Sequence, residues 1–138
     1  MKPEALRFPV LCIHKGTIFT VRSLDELTRT TAAAFRGGLF TRLRLIDSGG
    51  VEVVVSSARK LHGIGRFFGY NIFLNQRIRI ALDIEPTGTT LLADDVRSLV
   101  LKDFRNWHGW ESRDDFEKLK GAVKIAASVE DILRIVTQ

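Results

Sequence analysis

The chain has 138 residues, of which 45% are hydrophobic and 27% are charged, and its formal net charge at pH 7 is +5. These values are close to the averages of globular domains and exclude a disordered or fibrous chain. No segment approaches the roughly 20 consecutive apolar residues of a membrane-spanning helix, and the N-terminus has no apolar signal core. We therefore expect residues 1–138 to form one cytoplasmic domain without membrane association, and the single Cys12 fits a reducing compartment.

The positive charge is concentrated in the middle third of the chain. Residues 36–79 contain eight basic and two acidic residues, a net charge of +6, whereas residues 1–35 carry +2 and residues 80–138 carry −3. Seven of these eight basic residues are arginines. Because uneven charge governs partners and encounter rates rather than the fold, this segment predicts an anionic binding partner.

The first elements are predicted to form a β-hairpin. Val10–His14 and Thr17–Val21 are two β-rich runs separated by the pair Lys15-Gly16. Glycine adopts the positive φ that a two-residue hairpin turn requires. The pattern therefore predicts two antiparallel strands joined by a tight turn.

A helix is predicted over Leu24–Arg36. Ser23 and Glu26 form a capping box, in which the serine oxygen accepts from a free backbone N–H and the glutamate reaches back to the start of the helix. Apolar residues then recur at helical spacing as far as Phe35, and Gly37-Gly38 offers a left-handed stop.

Two further strands, Phe40–Asp47 and Val51–Ser56, are predicted to pair through a three-residue loop. Only an odd-length loop places the apolar residues of both strands on one face, and a loop of three residues pairs Asp47 with Val51. The opposite face then carries Arg42, Arg44, Glu52 and Val54.

The remaining pattern predicts one more strand and then three helices. In Arg77–Glu85 apolar and charged residues alternate, as in an antiparallel strand with one buried face. Apolar residues recur at helical spacing over residues 92–107, and Ser112 and Ser128 are start signals for two more helices. Strands first and helices last indicate an α+β fold. We expect a mainly antiparallel sheet of about five strands (residues 8–85), the early helix, and three C-terminal helices (residues 91–137) packed on one face.

Residues 61–75 form the strongest candidate site. The segment LHGIGRFFGYNIFLN holds three glycines and four of the chain's twelve aromatic residues. Glycines allow close backbone approach, and Phe67, Phe68 and Tyr70 beside Arg66 supply the rings and the cation that anchor interfaces or stack on unpaired bases. The same rings also suit the core beneath a glycine-permitted bend, so both interpretations are open.

Residues 66–73 partly match the octapeptide of RNA-recognition-motif domains. Phe67 stands where that motif has glycine, and Asn71 stands where it has an aliphatic residue. The β-α-β-β-α-β order of that fold also differs from the order predicted for this chain. We therefore assign the chain to no family.

The first functional hypothesis is a non-enzymatic protein-interaction module of the adaptor, inhibitor or toxin-neutralising type. Arginine and aromatic residues are typical of binding hot spots, and an acidic protein surface is the expected partner. The alternative is a single-stranded nucleic-acid-binding domain, although carboxylates on the predicted sheet face would repel phosphate. The predicted binding residues are Arg42, Arg44, Arg66, Phe67, Phe68, Tyr70, Arg77, Arg79 and Trp110.

A third hypothesis is a small hydrolase-like enzyme that uses Asp83 and Glu85, together with His62 and Tyr70. The two carboxylates share a strand face, and general acid–base catalysis would need one of them desolvated and protonated near neutral pH. Neighbouring arginines could equally neutralise both. No metal site or cofactor is predicted, because one cysteine and three histidines show no ligand-like spacing.

Overall fold

The computed structural model describes residues 2–63, 77–102 and 113–137. Within these residues, six strands form one antiparallel sheet that curls into a half-barrel. This confirms the α+β class, with six strands where about five were expected. After a 3-10 turn at Pro3–Ala5 the elements are β1 (Val10–His14), β2 (Thr17–Val21), α1 (Leu24–Thr28), β3 (Arg29–Thr31), α2 (Ala32–Arg36), β4 (Arg44–Ile46), β5 (Val51–Gly63), β6 (Arg77–Thr90), α3 (Ala93–Lys102), α4 (Arg113–Ile125) and α5 (Val129–Thr137). The order of the strands in the sheet is β2-β1-β4-β5-β6-β3.

The predicted hairpin of β1 and β2 is confirmed. Pairing runs from Val10 opposite Val21 to His14 opposite Thr17. The two turn residues have positive φ, 48° and 81°, as a type I′ turn requires. The right-handed twist of the two strands favours this turn, and Gly16 adopts it without steric cost.

The predicted register of β4 and β5 is also confirmed. Leu45 lies opposite Val53, and the N–H of Asp47 donates to the carbonyl of Val51 at 3.1 Å. The buried Asp47 carboxylate then accepts the N–H groups of Gly49 and Val51 at 2.9 and 3.0 Å. One side chain therefore satisfies two backbone donors and fixes the loop that sets the register.

Strand β4 is shorter than the predicted strand Phe40–Asp47. The chain before it forms a turn, in which the N–H of Thr41 donates to the carbonyl of Gly38 at 3.0 Å. Arg42 has a φ of 55°, which is incompatible with an extended strand. Only three residues of the predicted strand therefore pair as β4.

The two central strands are longer than the predicted Val51–Ser56 and Arg77–Glu85. β5 has 13 residues and β6 has 14, and the pair forms a ribbon whose register shifts between Val55 and Ser57. Ser56 is thus the extra residue of a β-bulge. The extra residue shifts the alternation of inward-facing and outward-facing side chains by one position. The period-two pattern of the sequence therefore does not reveal that the strand continues beyond the bulge.

The structure corrects the single helix predicted over Leu24–Arg36 to two short helices, α1 and α2, with β3 between them. Arg29 of β3 pairs with Arg79 of β6. Two consecutive threonines favour a strand over a helix, and the pairing with β6 satisfies the backbone there. Thr31 then begins α2, because its hydroxyl accepts the N–H of Ala34 at 3.1 Å.

The inside of the half-barrel holds one of two hydrophobic clusters. On β6 every second residue from Ile78 to Ile84 is buried in it, as the alternation predicted. Helix α1 contacts both β2 and β6 and buries Leu27 in the same cluster, so it closes the gap between the two edges of the sheet. Cys12 of β1 also lies in this cluster.

The three C-terminal helices form the second cluster on the outer face of the sheet, as predicted. Helix α5 begins after Ser128, whose hydroxyl accepts the N–H of Asp131 at 3.1 Å. The sheet residues of this cluster, Leu11, Ile13, Ile18 and Ile46, all belong to β1, β2 and β4. The described helices therefore cover half of the outer face, and the outer face of β5, β6 and β3 carries charged side chains.

Candidate functional site

Four arginines lie on the outer face of β5, β6 and β3. Arg77 and Arg79 occupy alternate positions of β6 whose neighbours are buried. Arg29 of β3 lies opposite Arg79, and Arg59 of β5 lies opposite Ala81. Opposed residues of antiparallel strands project from the same face, so the four side chains share one surface, and all four are exposed. We call these four residues the arginine strip.

One carboxylate lies within the arginine strip. Asp25 Oδ1 is 3.5 Å from Arg29 Nη2 and 3.4 Å from Arg79 Nη2. Like charges directly opposite each other destabilise a sheet, so Asp25 offsets the repulsion between these two arginines. Arg59 and Arg77 form no ion pair within 4.0 Å in the part of the chain that the structure describes. The arginine strip therefore presents four cations against one carboxylate.

Arg44 has the opposite electrostatic environment on the same sheet. Its Nη2 atom donates to Glu52 Oε2 at 2.5 Å, and the hydroxyl of Thr87 donates to Glu52 Oε1 at 2.8 Å. Burial alone would raise the pKa of Glu52, but the hydrogen bonds from Arg44 and Thr87 and the charge of Arg44 together lower it. The predicted proximity of Arg44 and Glu52 is thus confirmed, and the pair neutralises itself.

The described members of the predicted binding set lie in three places. Arg44 lies opposite Val54, which lies opposite Glu85. Arg79 is six positions from Glu85 along β6, about 20 Å at the rise of an extended strand. The sheet thus joins Arg77 to Arg79 and separates both from Arg44, while Arg42 lies in the turn before β4.

The other predicted binding residues, Arg66, Phe67, Phe68, Tyr70 and Trp110, lie outside the described residues. The strands that flank residues 64–76 are described, and Gly63 pairs with Ile78. Strand β5 therefore ends at Gly63, beside the start of β6 at Arg77.

The carboxylates of the enzyme hypothesis lie on the outer face of β6. Both are exposed, and Asp83 Oδ2 accepts a hydrogen bond from the Ser57 hydroxyl at 2.5 Å. Glu85 lines a pocket of about 520 Å³, and Asp83 is not among its described lining residues. Tyr70 and the side chain of His62 lie outside the described part of the chain, so the four-residue combination stays a prediction.

Sequence reasoning missed two members of the arginine strip, Arg29 and Arg59. Arg29 falls within a segment that the capping box and apolar spacing assigned to a helix, so its place on a sheet was not foreseen. Arg59 follows the bulge at Ser56, beyond the predicted end of that strand. A signal for Arg29 exists in the neighbouring pair Thr30-Thr31, since consecutive β-branched residues favour a strand.

Three other properties of residues 2–63, 77–102 and 113–137 bear on function. Burial, and to a smaller extent the charge of Glu26, raise the pKa of the Cys12 thiol, which disfavours a nucleophilic thiolate. No group of three or more His, Cys, Asp or Glu side chains there could hold a metal ion. None of the helices in these ranges is both long and apolar enough to cross a membrane.

Known proteins provide no guide to the role of this surface. No family model matches the chain, and neither a curated protein nor a solved structure matches it. The charge and geometry of the sheet face itself are therefore the features from which we infer a function.

Proposed function

We propose that the protein is a non-enzymatic interaction module that docks an acidic protein surface on its arginine strip. The observation that supports this proposal is the excess of guanidinium groups over carboxylates on the exposed face of β5, β6 and β3. Arg59 and Arg77 have no ion-pair partner in the described chain, so both can engage carboxylates of another molecule. A guanidinium group binds a carboxylate through two parallel hydrogen bonds, which gives geometric specificity as well as attraction.

The carboxylates on the same face favour a protein partner over a nucleic acid. Asp25 lies within the arginine strip, and Asp83 and Glu85 follow further along β6. A nucleic-acid backbone places a negative charge at every nucleotide and would meet these carboxylates wherever it crossed them. An acidic protein surface can place its carboxylates against the arginines and its cations or neutral groups against Asp83 and Glu85.

The aromatic segment is proposed to extend this docking surface. Its flanking strands pair at Gly63 and Ile78, one position from Arg77. In the proposed arrangement Arg66, Phe67, Phe68 and Tyr70 supply desolvated anchors, and the arginine strip supplies steering and register.

The test compares two charge-reversed proteins. Arg59→Glu with Arg77→Glu changes the arginine strip without removing a described ion pair, and Lys118→Glu with Lys124→Glu makes the same charge change on exposed positions of α4. Immobilised wild-type protein and both variants are used to capture partners from the native lysate, and bound proteins are quantified by mass spectrometry. We expect a partner rich in acidic residues that the first variant loses and the second retains. A list of bound proteins that both variants leave unchanged would contradict the proposal.

A second measurement separates the two classes of anionic partner. Fluorescence anisotropy follows binding of a labelled acidic decapeptide and a labelled mixed-sequence oligonucleotide of ten nucleotides at low and high salt. The proposal expects weak, salt-sensitive peptide binding that Arg59→Glu with Arg77→Glu abolishes. Tighter binding of the oligonucleotide, with a log–log salt slope of about −0.7 per phosphate contact, would favour the nucleic-acid function instead.

A further inference from the structure

Two adjoining pockets meet at the turn that precedes β4. The larger has a volume of about 520 Å³ and lies where β4 separates from β5, and the smaller, of about 390 Å³, lies beside the β1–β2 turn. Thr41 and Arg42 line both pockets, so the two pockets adjoin at these residues. We call the two pockets together the Arg42 cleft. Volumes of several hundred Å³ are typical of sites for small molecules.

The charges of the Arg42 cleft are separated along its length. Lys15 and His14 line the smaller pocket, Arg42 lies between the two pockets, and Glu85 lines the larger one. Lys15, Arg42 and Glu85 form no ion pair within 4.0 Å in the described chain. The cleft thus has cationic residues at one end and a single carboxylate away from them. No described side chain of opposite charge forms an ion pair with any of them.

The lining of the larger pocket also includes apolar side chains. Phe35 and Phe40 contribute aromatic groups, and Val55 and Ala58 contribute aliphatic groups of β5. Phe40 and Val55 belong to the inner hydrophobic cluster, so rigid core residues support the cleft from below. An apolar chain that lies on this surface would leave water and gain contact energy in proportion to the area it buries.

The backbone departs from regular structure on both sides of the cleft. Ser56, the extra residue of the β-bulge, lines the larger pocket. Arg42 has a φ of 55°, in the left-handed region that a residue with a side chain rarely adopts. The type I′ turn accounts for the positive φ of Lys15, whereas Arg42 is the last residue of the turn that precedes β4. Bulges and left-handed non-glycine residues are both concentrated at ligand sites.

We propose that the Arg42 cleft binds a small zwitterion whose carboxylate and ammonium groups are separated by an apolar chain. The carboxylate lies between Lys15 and Arg42, the ammonium group lies against Glu85, and the chain between them rests on Phe35 and Phe40. A simple anion would leave Glu85 without a partner, and a simple amine would be repelled at the cationic end. This site is separate from the arginine strip and does not depend on its function.

Three matched probes test the assignment by NMR titration of the 15N-labelled protein. They are 6-aminohexanoate, which carries both charges, hexanoate, which lacks the ammonium group, and hexylamine, which lacks the carboxylate. Each lost charge-assisted contact is expected to weaken binding about tenfold or more. The assignment is overturned if either singly charged probe binds as tightly as 6-aminohexanoate. It is also overturned if the protein is not saturated by 6-aminohexanoate at about 10 mM, a concentration that saturates a site of millimolar affinity.

Two variants connect each charge of the probe to one residue. Arg42→Asn removes the guanidinium group and keeps a residue that tolerates positive φ, and Glu85→Gln removes the charge of an exposed side chain with little change of shape. We expect Arg42→Asn to reduce the advantage of 6-aminohexanoate over hexylamine severalfold, because Lys15 remains, and Glu85→Gln to abolish its advantage over hexanoate. Lys124→Gln, on exposed helix α4, is the control and should change neither ratio. Amide spectra report whether Arg42→Asn is folded. The assignment is overturned by Glu85→Gln alone if this variant leaves the ratio of the affinities for 6-aminohexanoate and hexanoate unchanged.

Discussion

Arg44 and the arginine strip lie on the outer face of the same sheet, but the charge of Arg44 is neutralised, whereas the arginine strip has more cations than carboxylates. Arg44 meets the buried carboxylate of Glu52, which Thr87 also binds, so the cluster is electrically satisfied. Arg59 and Arg77 meet no carboxylate in the described chain, and Arg29 lies directly opposite Arg79. An arginine at an outward-facing position of a strand therefore does not have the same role in every case. The presence or absence of a carboxylate within reach of the guanidinium group decides whether its charge stabilises the fold or is available to a partner.

The largest effect on stability is expected from removing the Arg44–Glu52 ion pair. Arg44→Ala leaves the Glu52 carboxylate, whose side chain is only 10% exposed, without its cationic partner. We expect a loss of about 2–3 kcal/mol in the free energy of unfolding, because a desolvated charge is left with fewer hydrogen bonds. Urea unfolding measures it.

Arg59→Ala is the matched control for Arg44→Ala, since it removes the same group from an exposed position of the neighbouring strand. Its free energy of unfolding should stay within about 0.5 kcal/mol of wild type, as for surface substitutions in general. Equal losses in the two variants would show that the two environments do not differ energetically.

The second effect depends on pH. The folded state lowers the pKa of Glu52, so the ionised carboxylate contributes stability above the ordinary value of 4.5, and this stability is lost as the pH falls from there through the folded pKa. Glu52→Gln should cost about 1–2 kcal/mol at pH 7. The difference between wild type and variant should shrink in acid, and urea unfolding at a series of pH values measures it. A difference that is constant from pH 7 to pH 3 would contradict the assignment.

The position of the Arg44–Glu52 ion pair was largely predictable from the sequence. Turn chemistry fixes the hairpin at Lys15-Gly16, and the parity of the loop after Asp47 fixes the register of β4 and β5. The second rule places Arg44 beside Glu52 on one face, because side chains of a strand alternate with a period of two. Nothing beyond neighbouring segments was needed.

The arginine strip required information that neighbouring segments do not contain. Arg29 reaches it through β3, whose three residues pair with β6 some 50 positions away, and this tertiary pairing overrides a helical pattern. Arg59 reaches it through a strand that continues past a bulge, where alternation fails. The charge count singled out the basic segment that contains Arg77 and Arg79. It could not reveal that the sheet separates them from Arg44 and joins them to Arg29.

The smallest expected effect examines repulsion within the arginine strip. Asp25→Asn removes the carboxylate shared by Arg29 and Arg79, so two opposed cations lose their counter-charge. Both pairs are exposed, and exposed ion pairs contribute about 0.2–1 kcal/mol each, so we expect a loss of about 0.5 kcal/mol in the free energy of unfolding. Repulsion between exposed charges is screened by salt, so the loss should decrease between 0.05 and 1 M NaCl, roughly a fourfold change in Debye length. A loss that is independent of salt would assign Asp25 to the packing of α1 rather than to the charge of the arginine strip. Salt dependence, with stronger binding of the acidic decapeptide by Asp25→Asn, would mean that the carboxylate restrains a surface otherwise fully available to an acidic partner.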